Sequence, residues 1–219
     1  MAERRSSRTR GADFRFDPAE ALAHLTRSDL KLGQVIERTG AFVLKVDTAA
    51  TPFEALAESI LYQQITGKAA ATIVGRFRER VGEGRFPVPA RVLEAEETLL
   101  REVGISRGKI AALRDLATKS LDGTVPSMRR LHGMEDEEIV ERLTVVRGIG
   151  RWTAEMFLIF RMGRPDVLPV HDYGVRKGFQ RAFRTRGLPE PRSIERRGER
   201  WRPYRTVASW YLWRVLEWD

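Results

Sequence analysis

The stretch VVRGIGRWTAEMFLIF, Val145–Phe160, places two glycines one residue apart directly before an apolar run with helical spacing. A tight turn between two helices needs a residue that tolerates positive φ, and Gly148 and Gly150 stand at that position. The helix that starts near Arg151 directs unpaired N–H groups outward, and glycine has no Cβ to obstruct a phosphate that approaches them. The stretch therefore predicts a helix–turn–helix that either only turns the chain or also binds an anion.

Segments with helical spacing of apolar residues extend from Asp17 almost to the end of the chain. Asp17 before Pro18 predicts an N-cap followed by a first-turn proline. Alternating apolar and polar runs are scarce, and FVLKV, Phe42–Val46, is the best strand candidate. EVGISRGKIAAL repeats weakly the Gly-Ile turn of VVRGIGRWTAEM. Because the loops are short, the helices are expected to pack as one domain or two interleaved lobes of a mainly α-helical protein.

Composition limits the classes of partner and site. Lys and Arg number 39 against 30 Asp and Glu, a net charge of +9, which favours a nucleic-acid partner, although a GC-rich genome also enriches arginine. The absence of cysteine excludes disulfides and cysteine-ligated iron–sulfur clusters, and three scattered histidines argue against a zinc site. We find no apolar run long enough for a membrane span and no secretory signal, so we expect a soluble cytoplasmic protein without a membrane partner. Residues 1–12 are polar and arginine-rich, which predicts a disordered basic arm before a domain over 13–219.

Four motifs resemble those of the helix-hairpin-helix DNA glycosylases and occur in the order typical of that family. VVRGIGRWTAEM is similar to the helix-hairpin-helix motif, and DVLPVHDYGVRKGF to the segment that carries the catalytic aspartate; the others are FEALAESILYQQITGKAAATI and WRPYRTVASWYLW. They are most similar to the 3-methyladenine DNA glycosylase II branch, in a compact form without an N-terminal sheet domain. The resemblance implies an all-α fold of two helical lobes with a DNA-binding cleft between them.

The same resemblance implies an activity. A monofunctional enzyme of base excision repair would flip alkylated purines out of duplex DNA and hydrolyse them from the sugar. We expect a monomeric, nucleoid-associated protein of bacterial type. The lesion range stays open among 3-methyladenine, 7-methylguanine, 1-methyladenine, ethenoadenine and hypoxanthine.

Asp172, in PVHDYGV, falls on the catalytic position of the family. From the residues alone the favoured interpretation is the N-cap of a helix that begins at Tyr173, with Asp166 as a similar candidate, and the resemblance reverses that preference. A carboxylate near the deoxyribose stabilises the positive charge that builds as the N-glycosidic bond breaks, and it orients or deprotonates a water. Trp152 stands where bifunctional relatives carry a nucleophilic lysine, so the resemblance implies that water is the nucleophile.

Aromatic side chains are expected to form the pocket for the damaged base. Trp and Tyr faces attract a cation by about 0.5–2 kcal/mol when desolvated, which favours an alkylated, cationic base. The resemblance assigns this pocket to Tyr62, Trp152, Met156 and Trp213. The remaining tryptophans, Trp201, Trp210 and Trp218, are expected to serve core packing or surface anchoring.

The resemblance also assigns residues to the contact with DNA. Gln63 and Gln64 lie in a turn that enters the minor groove in related enzymes, where a side chain fills the gap left by the flipped nucleotide, although each is equally well a polar helix end. Phosphate and backbone contacts are expected at Lys68, Ser106, Arg107, Gly108, Lys109, Arg147, Gly148, Ile149, Gly150 and Thr153. Related hairpins hold a monovalent cation, Na⁺ or K⁺, on carbonyls that correspond to Thr144, Val146 and Ile149; no other cofactor is expected.

Two other interpretations compete with this one. Helix-hairpin-helix turns also occur in proteins that only hold DNA, but such a module has no use for the carboxylate of PVHDYG. A glycosylase for other damaged or mismatched bases, of the endonuclease III or adenine-mismatch type, usually carries an iron–sulfur cluster on four cysteines, and this chain has none.

Overall fold

The computed structural model describes residues 14, 16–47 and 51–218. These residues form thirteen α-helices and one short 3-10 helix, and none of them is in a β-strand. The predicted all-α class is confirmed. No helix in this part of the chain is long and apolar enough to cross a membrane. The basic arm predicted over 1–12 lies outside the described residues.

The helices follow one another with short connections. In chain order they are α1 (Pro18–Ser28), α2 (Leu30–Thr39), α3 (Pro52–Tyr62), α4 (Gly67–Gly82), α5 (Pro89–Glu94), α6 (Glu97–Val103), α7 (Arg107–Leu121), α8 (Met128–Leu131), α9 (Asp136–Thr144), α10 (Arg151–Phe160), α11 (Tyr173–Phe183), α12 (Pro191–Gly198), the 3-10 helix Glu199–Trp201 and α13 (Arg205–Val215).

The chain divides into two compact units. Unit 1 comprises Met1–Asp47 and Gly163–Asp219, and unit 2 comprises Thr48–Met162. Unit 1 therefore holds α1, α2 and α11 to α13, whereas unit 2 holds α3 to α10. Unit 2 is one continuous segment, and unit 1 is built from the chain on either side of it.

Helix starts follow local capping chemistry. The Asp17 carboxylate accepts the Ala19 N–H at 2.8 Å with Pro18 in the first turn, as predicted from the sequence. Threonine hydroxyls cap α3 and α4 in the same way, at Thr51 and Thr66. These short-range bonds fix where each helix begins.

The strand predicted at Phe42–Val46 is wrong. These residues form no regular secondary structure in the described chain. Leu44 is buried, and the Phe42 ring lies 5.1 Å from the ring of Trp210 and 6.3 Å from that of Tyr211 on α13. The alternating pattern arises because the segment packs one side against a helix instead of a neighbouring strand.

Unit 1 is held together by the close approach of α11 to α13. A Cβ added at Gly178 on α11 would lie 1.9 Å from the carbonyl oxygen of Leu212, so only glycine permits this approach. Trp201 and Trp210 are buried, as expected for core residues. Trp218 lies under the Arg38 guanidinium, 4.1 Å from the ring centre.

A buried carboxylate joins the two parts of unit 1. Asp29 caps α2 through the Leu32 N–H and accepts two hydrogen bonds from Arg197, each at 2.7 Å, and one from the Trp201 indole at 3.0 Å. Burial by itself raises the pKa of Asp29, but the bonds from Arg197, Trp201 and Leu32 hold that pKa below its ordinary value. The Asp29 carboxylate is therefore charged in the core of unit 1, where hydrogen-bond donors satisfy both of its oxygens.

Unit 2 contains the Gly-Ile turn twice. Gly104 follows α6 with φ +105°, and Gly148 lies between α9 and α10 with φ +79°. The isoleucine after each glycine is buried, with Ile105 1% and Ile149 4% exposed. In both turns glycine supplies the left-handed backbone and isoleucine anchors the turn in the core, so the weak sequence repeat corresponds to a repeated local structure.

Candidate functional site

The two glycines of the hairpin have different roles. Gly148 has positive φ, and a Cβ added there would lie 3.5 Å from the Ala112 Cβ, so the backbone itself requires glycine. Gly150 has φ −98°, and a Cβ added there would meet no atom within 4 Å. Gly150 precedes α10, which has no side-chain cap in the described structure. Open space therefore lies in front of an uncapped helix N-terminus, an arrangement that suits an anion.

The hairpin turn is fastened to α7 by a residue that the sequence did not single out. Asp115 accepts the backbone N–H of Arg147 at 2.7 Å and pairs with Lys119 one turn later. Burial raises the pKa of Asp115, but the Arg147 N–H and the Lys119 ammonium outweigh it and lower that pKa. In the sequence Asp115 and Lys119 are indistinguishable from an ordinary i,i+4 surface pair.

Three of the four predicted base-pocket residues meet within unit 2. Tyr62 on α3 and Trp152 and Met156 on α10 line one cavity of about 680 Å³. Its other lining residues are Glu58, Ser59, Gln63, Gln64, Thr153 and Arg161. Trp152 is 50% and Tyr62 45% exposed, so both aromatic faces are accessible to a ligand. Thr153 is buried, which leaves little of it available for contact with DNA.

A charged wall of this cavity was missing from the predicted site. The Glu58 carboxylate accepts from Arg161 at 3.2 Å and from Arg78 at 3.0 Å, and Arg78 also contacts Glu54 at 3.4 Å. Of these four side chains, Glu58 and Arg161 line the cavity, so its wall carries one carboxylate and one guanidinium that are bonded to each other. Helical spacing is a signal that would have found Glu58, because it stands four residues before Tyr62 on α3 and shares its face.

Asp172 and Trp213 lie together in unit 1. Asp172 is the N-cap of α11, and its Oδ1 accepts the Val175 N–H at 2.7 Å and the Trp213 Nε1–H at 2.8 Å. A Cβ added at Gly174 would lie 2.8 Å from Trp213 Cδ1 and 3.0 Å from that same Oδ1. The glycine of PVHDYG thus makes room for the indole, and the N-cap and catalytic interpretations of Asp172 are compatible.

Asp166, the other aspartate considered, has a structural role. It accepts from Arg202 at 2.6 Å and from Arg205 at 2.7 and 2.9 Å, and it also accepts the Arg205 backbone N–H at 3.3 Å. These bonds fix the start of α13, whose own N-cap residue makes no side-chain cap. Two guanidinium groups already neutralise this carboxylate, which makes it a poor stabiliser of a developing cation.

The structure brings some of the residues that were predicted to contact phosphate into one cleft. The N-terminus of α7 and the hairpin turn share a cleft of about 330 Å³, lined by Ile60, Gln63, Gln64, Ser106, Gly108, Lys109, Ala112, Arg147 and Gly148. Arg107 is exposed beside Glu97, and Lys68 is exposed on α4 without lining this cleft. The buried side chain of Ile149 leaves only its backbone for contact.

The hairpin carbonyls expected to hold a cation belong to one short turn. Thr144 ends α9, and the Val146 carbonyl accepts the Ile149 N–H at 3.1 Å. Carbonyl oxygens are hard ligands of the kind that Na⁺ and K⁺ take, so the residues present fit such an ion.

The chain is similar to proteins of known families. The family described as HhH-GPD superfamily base excision DNA repair protein matches residues 57–203. Similar curated proteins include DNA-3-methyladenine glycosylase 1 of Schizosaccharomyces pombe, 36% identical over 75% of this chain and 72% of that protein, and DNA-3-methyladenine glycosylase 2 of Escherichia coli, 30% identical over 80% and 62%. Similar solved structures include 3-methyladenine DNA glycosylase Mag1 of S. pombe with abasic DNA, at TM-score 0.79 and 32% identity over 91% of this chain and 98% of that one. DNA-3-methyladenine glycosidase of Bacillus halodurans gives a TM-score of 0.81 at 34% identity over 90% and 88%.

Proposed function

Because the chain belongs to the HhH-GPD superfamily of base excision DNA repair proteins, we propose that it is a monofunctional DNA glycosylase that removes alkylated purines from duplex DNA. The proposal rests chiefly on Asp172, which lies inside the matched segment and is held by two donors at the start of α11. The names of the similar proteins, which are 3-methyladenine DNA glycosylases, support the class of lesion. The partner is DNA, and we propose that the protein acts on it as a monomer in the cytoplasm.

In the proposed mechanism Asp172 acts on the sugar. The bonds from Val175 and Trp213 hold the carboxylate in one orientation, so its negative charge is already in place when the C1′–N bond breaks. Water forms the new bond to C1′, and its proton passes to Asp172. The base leaves with the bonding electrons; 3-methyladenine is cationic in DNA and therefore needs no strong general acid.

The unit 2 cavity is proposed to receive the flipped base. Trp152 and Tyr62 offer exposed aromatic faces to a cationic purine, and a cavity of about 680 Å³ is ample for one base. Gln64 is proposed to fill the gap in the duplex, because its side chain is exposed and its backbone has φ +57° at the tip of the turn. The amide of Gln63 is instead bonded to the Gly148 carbonyl at 2.9 Å.

We propose that the reaction requires no cofactor. The 219 residues include no cysteine for an iron–sulfur cluster, and the described residues contain no group of three or more His, Cys, Asp or Glu that could hold a metal. A Na⁺ or K⁺ ion on the carbonyls of Thr144, Val146 and Ile149 would stabilise the hairpin turn. Its role would be structural.

Release of base without strand cleavage tests this function. Incubation with a methylated duplex is expected to release alkylated purines and to leave an intact strand that breaks only after hot alkali. Borohydride is expected to trap no protein–DNA adduct, because Trp152 cannot form the imine that a lysine forms at this position. A trapped adduct, through Lys68, Lys109 or Lys177 for example, would contradict the monofunctional assignment. Binding without base release would favour the non-catalytic module.

Gly150→Leu is expected to weaken binding to damaged and undamaged duplexes alike, by about tenfold, the equivalent of one charge-assisted contact. The added side chain enters open space in front of α10, so it obstructs a phosphate without a steric clash inside the protein. Fluorescence anisotropy on matched duplexes measures the effect. Gly75→Leu on the exposed face of α4 is the control, since a Cβ there also meets no atom. A loss confined to damaged DNA would show that Gly150 acts on the base instead.

A further inference from the structure

The end of α3 is held by a lysine from another helix. The last carbonyl groups of a helix lack partners within it, and Lys109 Nζ donates to the Leu61 carbonyl at 2.7 Å. A cation at a helix C-terminus also complements the helix dipole. Lys109 stands in the first turn of α7, and burial lowers the pKa of its ammonium group. The Lys109 ammonium is therefore engaged with the end of α3, in a residue that is half-buried and also lines the cleft of about 330 Å³.

The turn that follows α3 is held from a second side. This turn, residues 63–65, will be called the probe turn because it carries Gln64. Gln63 Nε2 donates to the Gly148 carbonyl in the hairpin at 2.9 Å. One residue earlier in the hairpin, the Arg147 N–H donates to Asp115 on α7. Helix α7 therefore bonds to the end of α3 through Lys109 and to the hairpin through Asp115, and Gln63 closes the ring of contacts between them.

We propose that Lys109 is a positioning residue that locks the probe turn to the phosphate-binding hairpin, and that it makes no phosphate contact of its own. This rests on the proposed function, because it assumes that the probe turn fills the gap left by a flipped base. It also replaces the phosphate contact that ISRGK suggests from the sequence. The hairpin then binds the DNA backbone and the probe turn enters the duplex in one rigid movement. Without Lys109 the hairpin still binds the backbone, but the probe turn no longer enters the duplex with it.

The salt dependence of DNA binding distinguishes a lysine that contacts a phosphate from a lysine that only positions the probe turn. Each phosphate contact contributes about −0.9 to the slope of log K against log salt concentration. Lys109→Met is expected to keep the wild-type slope and to bind undamaged duplex within about twofold of wild type. Arg147→Met, which removes an exposed guanidinium that lines the cleft beside the hairpin, is the control for a phosphate contact and should reduce the magnitude of the slope by about 0.9. A fall of that size for Lys109→Met would overturn the proposal.

Base flipping supplies the second readout. With 2-aminopurine beside the lesion, Lys109→Met is expected to lower the flipping signal and the single-turnover release rate about tenfold, and Lys109→Arg should restore both because it keeps a donor for Leu61. Gln63→Met should resemble Lys109→Met, and the double variant should be no worse than either, since both bonds serve one lock. Unchanged flipping in Lys109→Met would contradict the lock. Absence of base release in the wild type would refute the proposed function alone, because the flipping signal still tests the lock.

Discussion

Asp172→Asn is expected to lower the rate of base release by at least about a thousandfold while fold and duplex affinity are kept. Asparagine is as good an N-cap as aspartate, and its amide oxygen can still accept from Val175 and Trp213. The substitution therefore removes only the negative charge that stabilises the developing cation and activates water. Interactions that exist mainly in the transition state affect the chemical step and leave ground-state binding unchanged.

Single-turnover release and anisotropy on the same lesion duplex measure the two quantities separately. Asp166→Asn is the matched control, because it makes the same chemical change at a carboxylate that holds Arg202 and Arg205. It should lower thermal stability and leave the release rate of the folded protein near wild type. The reverse pattern, an active Asp172→Asn and an inactive Asp166→Asn, would move the catalytic assignment to Asp166.

Asp29→Ala is expected to lower the free energy of unfolding of unit 1 by about 3–5 kcal/mol. Asp29 is only 3% exposed and accepts from Leu32, Arg197 and Trp201. Its removal leaves the Arg197 charge without its counterion and the buried Trp201 indole N–H without an acceptor. Loss of the cap on α2 adds to the cost.

A double-mutant cycle identifies the source of that loss. Arg197→Met in the Asp29→Ala background should recover part of the stability, because the uncompensated charge is gone and the methionine side chain can still pack on Phe183, whose ring lies 3.9 Å from the guanidinium carbon. Urea unfolding followed by circular dichroism gives the four values. Two outcomes would show that Asp29 and Arg197 do not stabilise the protein as a buried ion pair. One is a loss of unfolding free energy below about 1 kcal/mol for Asp29→Ala, and the other is full additivity of the Asp29→Ala and Arg197→Met effects.

The features that the sequence predicts correctly are those with local causes. The caps at Asp17 and Asp172, the turn glycine at 148 and the α-helical class all depend on residues within one turn of each other. Tyr62, Trp152 and Met156 were assigned to one pocket by resemblance, and the structure places them around one cavity. The strand predicted at Phe42–Val46 was wrong because alternation indicates one buried side and does not indicate what buries it.

The features that the sequence could not supply join side chains that are distant along the chain. Gln63 meets the Gly148 carbonyl 85 residues later, and Lys109 reaches back 48 residues to Leu61. Nothing local distinguishes Gln63 from Gln64, or a lysine that binds phosphate from one that caps a helix. Asp115 was likewise hidden as an ordinary charged position on a helix surface, because only the fold shows that it accepts the Arg147 N–H.

The division of unit 1 into two chain segments has a consequence for synthesis. Asp29 bonds to Arg197, which is 168 residues later in the chain. At a synthesis rate of 5–20 residues per second, α1 and α2 therefore leave the ribosome roughly ten to thirty seconds before the helices of unit 1 on which they pack. Unit 2 is continuous in the chain, so all of its helices have been synthesised before α11 to α13. The apolar faces of α1 and α2, with Leu25 and Leu32, are open to chaperones and to aggregation throughout that interval. Since α11 and α13 emerge last, a chain truncated before α13 lacks both the indole that orients Asp172 and the helix against which α11 packs at Gly178.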